Sequence, residues 1–410
     1  MERVIERGAG LDIHKKSVTA CVRGPGPDGG RRQERRSFAT TAAGLLVLRD
    51  WLSAHGVTHV AMESTGVYWK PVYYVLEERF TCLLVNAAHV SKVPGRKTDL
   101  LDCEWLAQLL EHGLLRGSFV PPEPIRELRD LTRYRAVLVQ DRTREANRLH
   151  KVLTDAGIQL ASVAADVLGK SGRAMLTALV EGTTDPQVLA ELAQGKLRRK
   201  LPALREALAG RFRKHHALLV SQLLAHLDYL DEALEDLTVQ IEEALAPFAR
   251  EAARLDAIPG VGSRTTAVLI AELGVDMRHF PTARHVASWA GLCPGTHESA
   301  GKRRAVRTRK GNRWLRAALI EAALAAINVR DSAFAARYRR VARHRGHKKA
   351  IVAVAHKLLT TAYLLLADGR TYQDPGAGYY DGRRKDRDVR RALHLLERHG
   401  YRVTLEAAAA

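Results

Sequence analysis

Four carboxylates are the residues of this 410-residue chain whose types and placing most suggest chemistry. Asp12 sits in GLDIHKK, where a strand pattern runs out, and alternation puts it on the face opposite Ile13. Glu63, in VAMESTG, ends the apolar run HVAM just before Ser64, Thr65 and Gly66 turn the chain. In open α/β sheets that strand edge is where ligands bind. Asp99 and Asp102, in GRKTDLLDCEWLAQLL, share a helix pattern whose apolar face is Leu101, Trp105, Leu106, Leu109 and Leu110, and their spacing makes them neighbours on its surface. Hard oxygen ligands with positions left open for phosphate and water are what two Mg2+ (or Mn2+) ions need, and the reaction they serve is in-line displacement at phosphorus. Singly, each acid is more often structural. Thr98 could cap that helix and leave Asp99 and Asp102 merely complementing its dipole.

A second constellation lies in the C-terminal third. IPGVG, Ile258–Gly262, stands between two helix patterns in the form of a helix-hairpin-helix, whose Gly260 and Gly262 would let backbone N–H groups face a phosphate. A plain Gly-rich turn is the alternative. Downstream, Ser299 has the small neighbours Ala300 and Gly301, and is followed by Lys302, Arg303, Arg304, Arg307, Arg309, Lys310, Arg313 and Arg316. An accessible hydroxyl beside cations able to hold a scissile phosphate suits nucleophilic attack, although a lone loop serine is ordinarily nothing more than that.

The elements that must position these groups divide the chain. Gly8 to His14, Ser17 to Val22 and Arg35 to Ala39 read as strands. A helix around Leu45 to Leu52, a buried strand over Val57 to Met62, a helix over Tyr68 to Glu78 and a strand over Cys82 to Val85 follow. The pattern predicts a mixed α/β sheet. After the Pro-rich stretch Phe119 to Leu128, helical patterns dominate to about residue 250, and Leu219, Leu223, Leu227, Leu230, Leu234, Leu237 and Ile241 approximate a heptad seam. That seam suits either a helix packed in its own chain or a coiled-coil dimer. A third unit closes with a helix around Lys349 to Leu366, and the tail from Asp368 ends in a helix–strand pattern at HLLERHGYRVTLE.

The charge balance names the partner. Lys and Arg total 65 against 45 Asp and Glu, a formal +20. Residues 1 to 120 hold 16 basic and 13 acidic side chains, whereas residues 251 to 350 hold 20 and 7, a net of +13 in one quarter of the chain. That quarter is the candidate phosphate contact, since its cations lie among Gly, Thr and Asn rather than on an amphipathic helix suited to a membrane surface. Cys21, Cys82, Cys103 and Cys293 form no CxxC pair, so neither zinc nor a disulfide framework is expected, and a reducing cytosol fits. No signal peptide or spanning segment is expected, and there is no GxxxxGK[ST] nucleotide loop.

Across nearly its whole length the chain resembles the bacterial insertion-sequence transposases of the IS110 type, with GLDIHKK, AMESTGVYW, GRKTDLLDCEWLA, NRLHKVL, IPGVGSRTTAVLIAELG, FPTARHVASWAGLCPGTHESAGKRR and GNRWLRAALIEAA in the family's order. The resemblance implies an RNase H-like (RuvC-like) α/β domain over residues 1–120, and a helical, coiled-coil region over 121–250. It further implies a mainly α, serine-bearing transposase domain with the helix-hairpin-helix-like motif over 251–367, and a basic tail over 368–410. It assigns the family's DEDD metal ligands to Asp12, Glu63, Asp99 and Asp102 and its nucleophile to Ser299, although the family commonly reads Ser-Gly directly where Ala300 intervenes here. It also implies donor and target DNA as substrates, a structured bridge RNA as guide, a homodimer or homotetramer, and a bacterial cytoplasmic, nucleoid-associated setting. A metal-dependent structure-specific nuclease that leaves Ser299 idle is the alternative enzyme, and a non-catalytic architectural nucleic-acid binder the alternative of another class.

Overall fold

The structure, a computed structural model, describes all residues except 1–2, 27–29, 65, 87–89, 91–101, 296–297, 300–301, 304–307, 309 and 405–410; for Glu298, Ser299, Lys302, Arg303 and residues 380–388 it describes the backbone alone. Two compact units divide at Pro121/Pro122.

In the first unit, strands β1 (Gly8–Ile13), β2 (Ser17–Pro25), β3 (Arg31–Ala39), β4 (His59–Glu63), β5 (Thr81–Val85) and β6 (Gly117–Ser118) form one sheet in the order β3-β2-β1-β4-β5-β6. β1, β4 and β5 run parallel, while β2, β3 and β6 are antiparallel to their neighbours. Helices α1 (Ala42–Ala54) and α2 (Trp69–Leu76) share a core with one face, where Leu11 and Met62 meet Leu48, Leu52 and Leu76. Each such fully buried side chain contributes roughly 1.5–3 kcal/mol. The opposite face is covered by α3 (Asp102–Glu111), which packs Cys103 and Ala107 on Cys21 and Trp105, Leu106 and Leu109 on Val85. This mixed sheet with helices on both faces is consistent with an RNase H-like domain. β3 begins four residues before the expected Arg35, because its solvent-facing Arg and Glu residues carry no apolar alternation.

Among its described residues, the second unit is helical apart from one short hairpin. Two long helices, α4 (Glu123–Asp155) and, after α5 (Lys170–Val180), α6 (Pro186–Glu191) and α7 (Leu201–Leu208), α8 (Lys214–Leu245), lie against each other in one chain. The heptad seam is partly spent there: Leu227, Leu230 and Ile241 are buried, while Leu219 is exposed. At one end, Leu149 and Leu153 of α4 join α5 to α7 in a separate core. At the other, Ile125, Leu128 and Ile241 enter a larger core built from α9 (Ala249–Asp256), α10 (Ser263–Leu273), α11 (Ala283–Trp289), α12 (Arg313–Ala326), α13 (Ala333–Arg345) and α14 (His347–Asp368). α14 is long and apolar enough to cross a membrane by length and composition alone, yet Ile351, Val354, Leu358 and Leu359 are buried in this core. The tail differs from expectation. One helix, α15 (Tyr379–Arg398), precedes Tyr401–Thr404, which form no strand: a lone segment has no sheet edge to take its backbone hydrogen bonds.

Candidate nucleic-acid-processing sites

Packing of α3 on the sheet explains how the acids come to one end of it. At Gly10 a Cβ would lie 2.2 Å from the Cys103 carbonyl oxygen and 2.5 Å from the Ala107 nitrogen, and at Gly8 a Cβ would meet Leu110 at 3.1 Å. Only glycine lets the helix come this close. Contacts at Gly8 with Leu110 and at Gly10 with Cys103 and Ala107 show α3 running antiparallel to β1, its N-terminus toward the end of β1 that carries Asp12. Leu11 pairs with Met62 across β1 and β4, so Asp12 and Glu63 follow at the next register position, on the face opposite Leu11 and Met62. Both are half-buried, and Asp102 opens α3 from an exposed position. The structure thus brings Asp12, Glu63 and Asp102 to one end of the sheet; Asp99 lies outside the described residues. His14 Nε2 stands 3.2 Å from Asp12 Oδ2, a pairing that the sequence does not announce.

Two thiols border the acids. Cys103 is pushed up to about 11 by burial, with Glu104 and Asp12 adding to it, and Cys21 to about 12 by burial and by Cys103 and Glu104. Burial thus disfavours the thiolate at both positions. At the far end of α3, the buried Glu111 carboxylate faces Arg23 at 2.9 Å and Arg31 at 3.1 Å. Burial alone would raise its carboxyl; the Arg23 hydrogen bond and the two guanidinium charges outweigh that and hold it below the ordinary carboxylate range.

In the second unit the serine sits on a two-stranded hairpin, β7 (Glu298–Ser299) and β8 (Lys302–Arg303), with Ser299 opposite Lys302. Its base is fastened firmly. Pro294 bridges Thr308, Arg316 donates to the Gly291 carbonyl at 2.6 Å and to Thr308 Oγ1 at 2.8 Å, and a Cβ on Gly311 would fall 2.3 Å from the Gly291 nitrogen. Asn312 then caps α12, its Oδ1 accepting from Trp314 and Leu315 N–H. The Asn312 amide also donates to Glu272 Oε2 at 2.6 Å, and Arg133 donates to both Glu272 oxygens at 2.7 and 2.8 Å. Glu272, fully buried, therefore ties α4, α10 and α12 together beneath the hairpin. Sequence reading missed it, since its only signal is one acid inside the apolar run VLIAELG. Lys310 and Arg313 are exposed, the latter with its guanidinium 4.2 Å from the Trp314 ring, while Arg304, Arg307 and Arg309 lie outside the described residues.

IPGVG does join two helices, α9 and α10. Gly260, at φ 82°, rests on α12, where a Cβ would meet the Ala322 carbonyl oxygen at 2.5 Å, so its lack of a side chain serves packing. Gly262 is exposed with open space before it and stands as the N-cap of α10 without a side-chain cap. Asp155, His215 and His216 also cluster, but His216 Nδ1 accepts the Arg213 N–H at 3.1 Å while Nε2 faces Asp155 Oδ2 at 3.1 Å. A metal on Nε2 would force the ring proton onto Nδ1, against that N–H, so the cluster reads as a helix-start cap.

Residues 9–158 match a transposase profile of the IS110 DEDD type, and residues 252–339 match the profile described as the transposase IS116/IS110/IS902 family. The chain belongs to this transposase family. Both constellations fall inside the matched segments. Among its relatives, the 43.6 kDa protein of insertion element IS110 from Streptomyces coelicolor is 29% identical over 68% of this chain and 73% of its own length. A probable family 20 transposase of Pseudomonas aeruginosa is 28% identical over 68% and 74%. The pilin gene-inverting protein of Moraxella bovis is 23% identical over 88% of this chain and 96% of its own. Membership makes this chain an enzyme, a DNA transposase.

Proposed function

We propose that this transposase cuts and rejoins DNA by joining Ser299 to a DNA phosphate, with Asp12, Glu63, Asp99 and Asp102 holding Mg2+ or Mn2+ and a bridge RNA selecting the DNA. The observation that carries the reading is that Asp12, Glu63 and Asp102 stand at one end of the sheet, where β1, β4 and α3 come together. These donors fit such an ion: all are carboxylate oxygens, the hard ligands that Mg2+ and Mn2+ take. When bound, the ion would supply charge stabilisation at the reacting phosphate. The chain's own contribution is positional. Ser299 Oγ attacks phosphorus, an O–P bond to the serine forms, and one P–O bond of the DNA strand breaks to free a hydroxyl; the reverse attack by another strand end rejoins DNA without an added energy source. Lys302, Arg303, Arg304, Arg307, Arg309, Lys310 and Arg313 neutralise the phosphates on either side, and the Gly260 to Gly262 turn, read as a helix-hairpin-helix, offers further N–H groups. The guide RNA and a dimeric or tetrameric assembly rest on the family resemblance.

The test is capture of the serine link. Protein incubated with Mg2+, guide RNA and matching DNA should give a denaturation-resistant adduct whose DNA-bearing peptide contains Ser299. S299A should lose the adduct and still bind DNA, and D12A or EDTA should stop cleavage. Cleavage without an adduct would favour the nuclease reading and remove the serine from the chemistry.

A further inference from the structure

Beside the base of the hairpin lies an open groove of about 540 Å3, bounded by the end of α11, the start of α12 and Arg133 of α4. Nothing in the assignment of Ser299 or the carboxylates uses it. Trp289 forms one wall and is 37% exposed, an unusual state for the largest apolar side chain, with Phe280 behind it at a ring separation of 5.5 Å. Trp314 forms another wall, carrying the Arg313 guanidinium on its face. Lys310 stands at the edge, next to the hairpin. Arg133 and Asn312 are already committed to Glu272, so they are rigid parts of the wall. Among the described residues, Lys310 and Arg313 have no carboxylate partner and the groove is lined by none.

Exposed indole, exposed cations and a described lining without carboxylates together select a ligand with a flat π-face and a negative charge. We propose that this groove holds an unpaired nucleotide of the strand engaged at the hairpin, its base stacked on Trp289 and its phosphate on Lys310 and Arg313. The proposal rests on the reading of the hairpin as the nucleic-acid site. A paired base cannot reach the indole, because both of its faces are covered in a duplex; a frayed or extruded one can, once it pays the unstacking cost. The groove volume falls within the range of pockets that take ligands of nucleotide size. A guanidinium lying 4.2 Å over the Trp314 ring is restrained by a cation–π contact that leaves its N–H groups for phosphate.

The experiment uses the full chain and two labelled probes, oligo(dT) and oligo(rU) of about ten nucleotides, a length within the range that single-strand sites occupy. W289A should weaken binding of the tighter probe about tenfold, the loss expected for one stacked base, while W289F should restore most of it. K310Q with R313Q should weaken the same probe and reduce its salt dependence. Binding of a duplex of equal length should change by less than about twofold in W289A, since its contacts are to phosphates. A tighter oligo(dT) assigns the nucleotide to the DNA strand, and a tighter oligo(rU) to the RNA. The inference is overturned, with the hairpin reading intact, if W289A binds both probes as the wild type does while neutralising Arg303, Arg304, Arg307 and Arg309 abolishes binding. Failure of the wild type to bind any of the three nucleic acids overturns the hairpin reading itself.

Discussion

Two buried carboxylates, neither of them in the DEDD set, show how single residues hold the machinery in place. Glu272 accepts three hydrogen bonds from Arg133 and Asn312 and has no water to fall back on. Replacing it strips the charge partner from Arg133, whose side chain is 35% exposed, and from the more buried Arg129, so E272Q should cost about 1–3 kcal/mol in urea unfolding. Glu111 is the counterpart in the first unit, and it titrates. Its carboxyl lies below the ordinary range when folded, so its contribution is present above the unfolded value and is lost as pH falls through the folded one. E111Q should therefore lower the melting temperature at pH 7 and match the wild type more closely near pH 3; an equal deficit at both would deny the charge its role. Neither residue was legible in the sequence, because a buried acid is recognised by the arginines that reach it, and those come from positions up to 143 residues away.

At the scale of elements, the approach of α3 to β1 decides whether the acids meet. G10A would set a methyl against the Cys103 carbonyl and the Ala107 nitrogen, both backbone atoms that cannot swing aside. The helix must lift, and Asp102 with it. G10A should lose cleavage activity even though no acid has changed, and raising Mg2+ should restore part of it; activity equal to wild type would show that the helix position is unimportant. The strands were legible because alternation and apolar runs mark them, as were the acids at their ends. β3 was legible only in its second half, since a charged edge strand lacks a buried face to pattern it. The tail's expected strand failed for a related reason, in that pairing is not a local property of the sequence. Gly260 shows the limit of motif reading: PGVG marks the turn, but only the fold reveals α12 pressed against it.

For the molecule as a whole, the net of +13 over residues 251–350 predicts an association dominated by phosphate contacts. Affinity for DNA should fall steeply as salt rises, and the combined neutralisation of Arg303, Arg304, Arg307 and Arg309 should flatten the slope of log K against log salt. An unchanged slope would place the contact elsewhere. Composition places this charge in the sequence, but it could not show that the described part of the hairpin stands on a base locked by Gly291, Gly311 and Arg316.

The paired helices α4 and α8 also act as a ruler. Arg133 grips Glu272 beneath the hairpin, and Leu153 is sunk in the distal core, 20 residues further along α4. At a rise of ~1.5 Å per residue the two anchor points stand ~30 Å apart, close to one turn of B-form duplex. The distal core presents Lys196 and Arg199 to solvent at its end of the span. A duplex held both at the hairpin and at Lys196 and Arg199 would be gripped at points roughly one turn apart. Hydroxyl-radical footprints should then show two protected patches roughly one turn apart. A single uninterrupted patch would mean that the span measures something other than DNA.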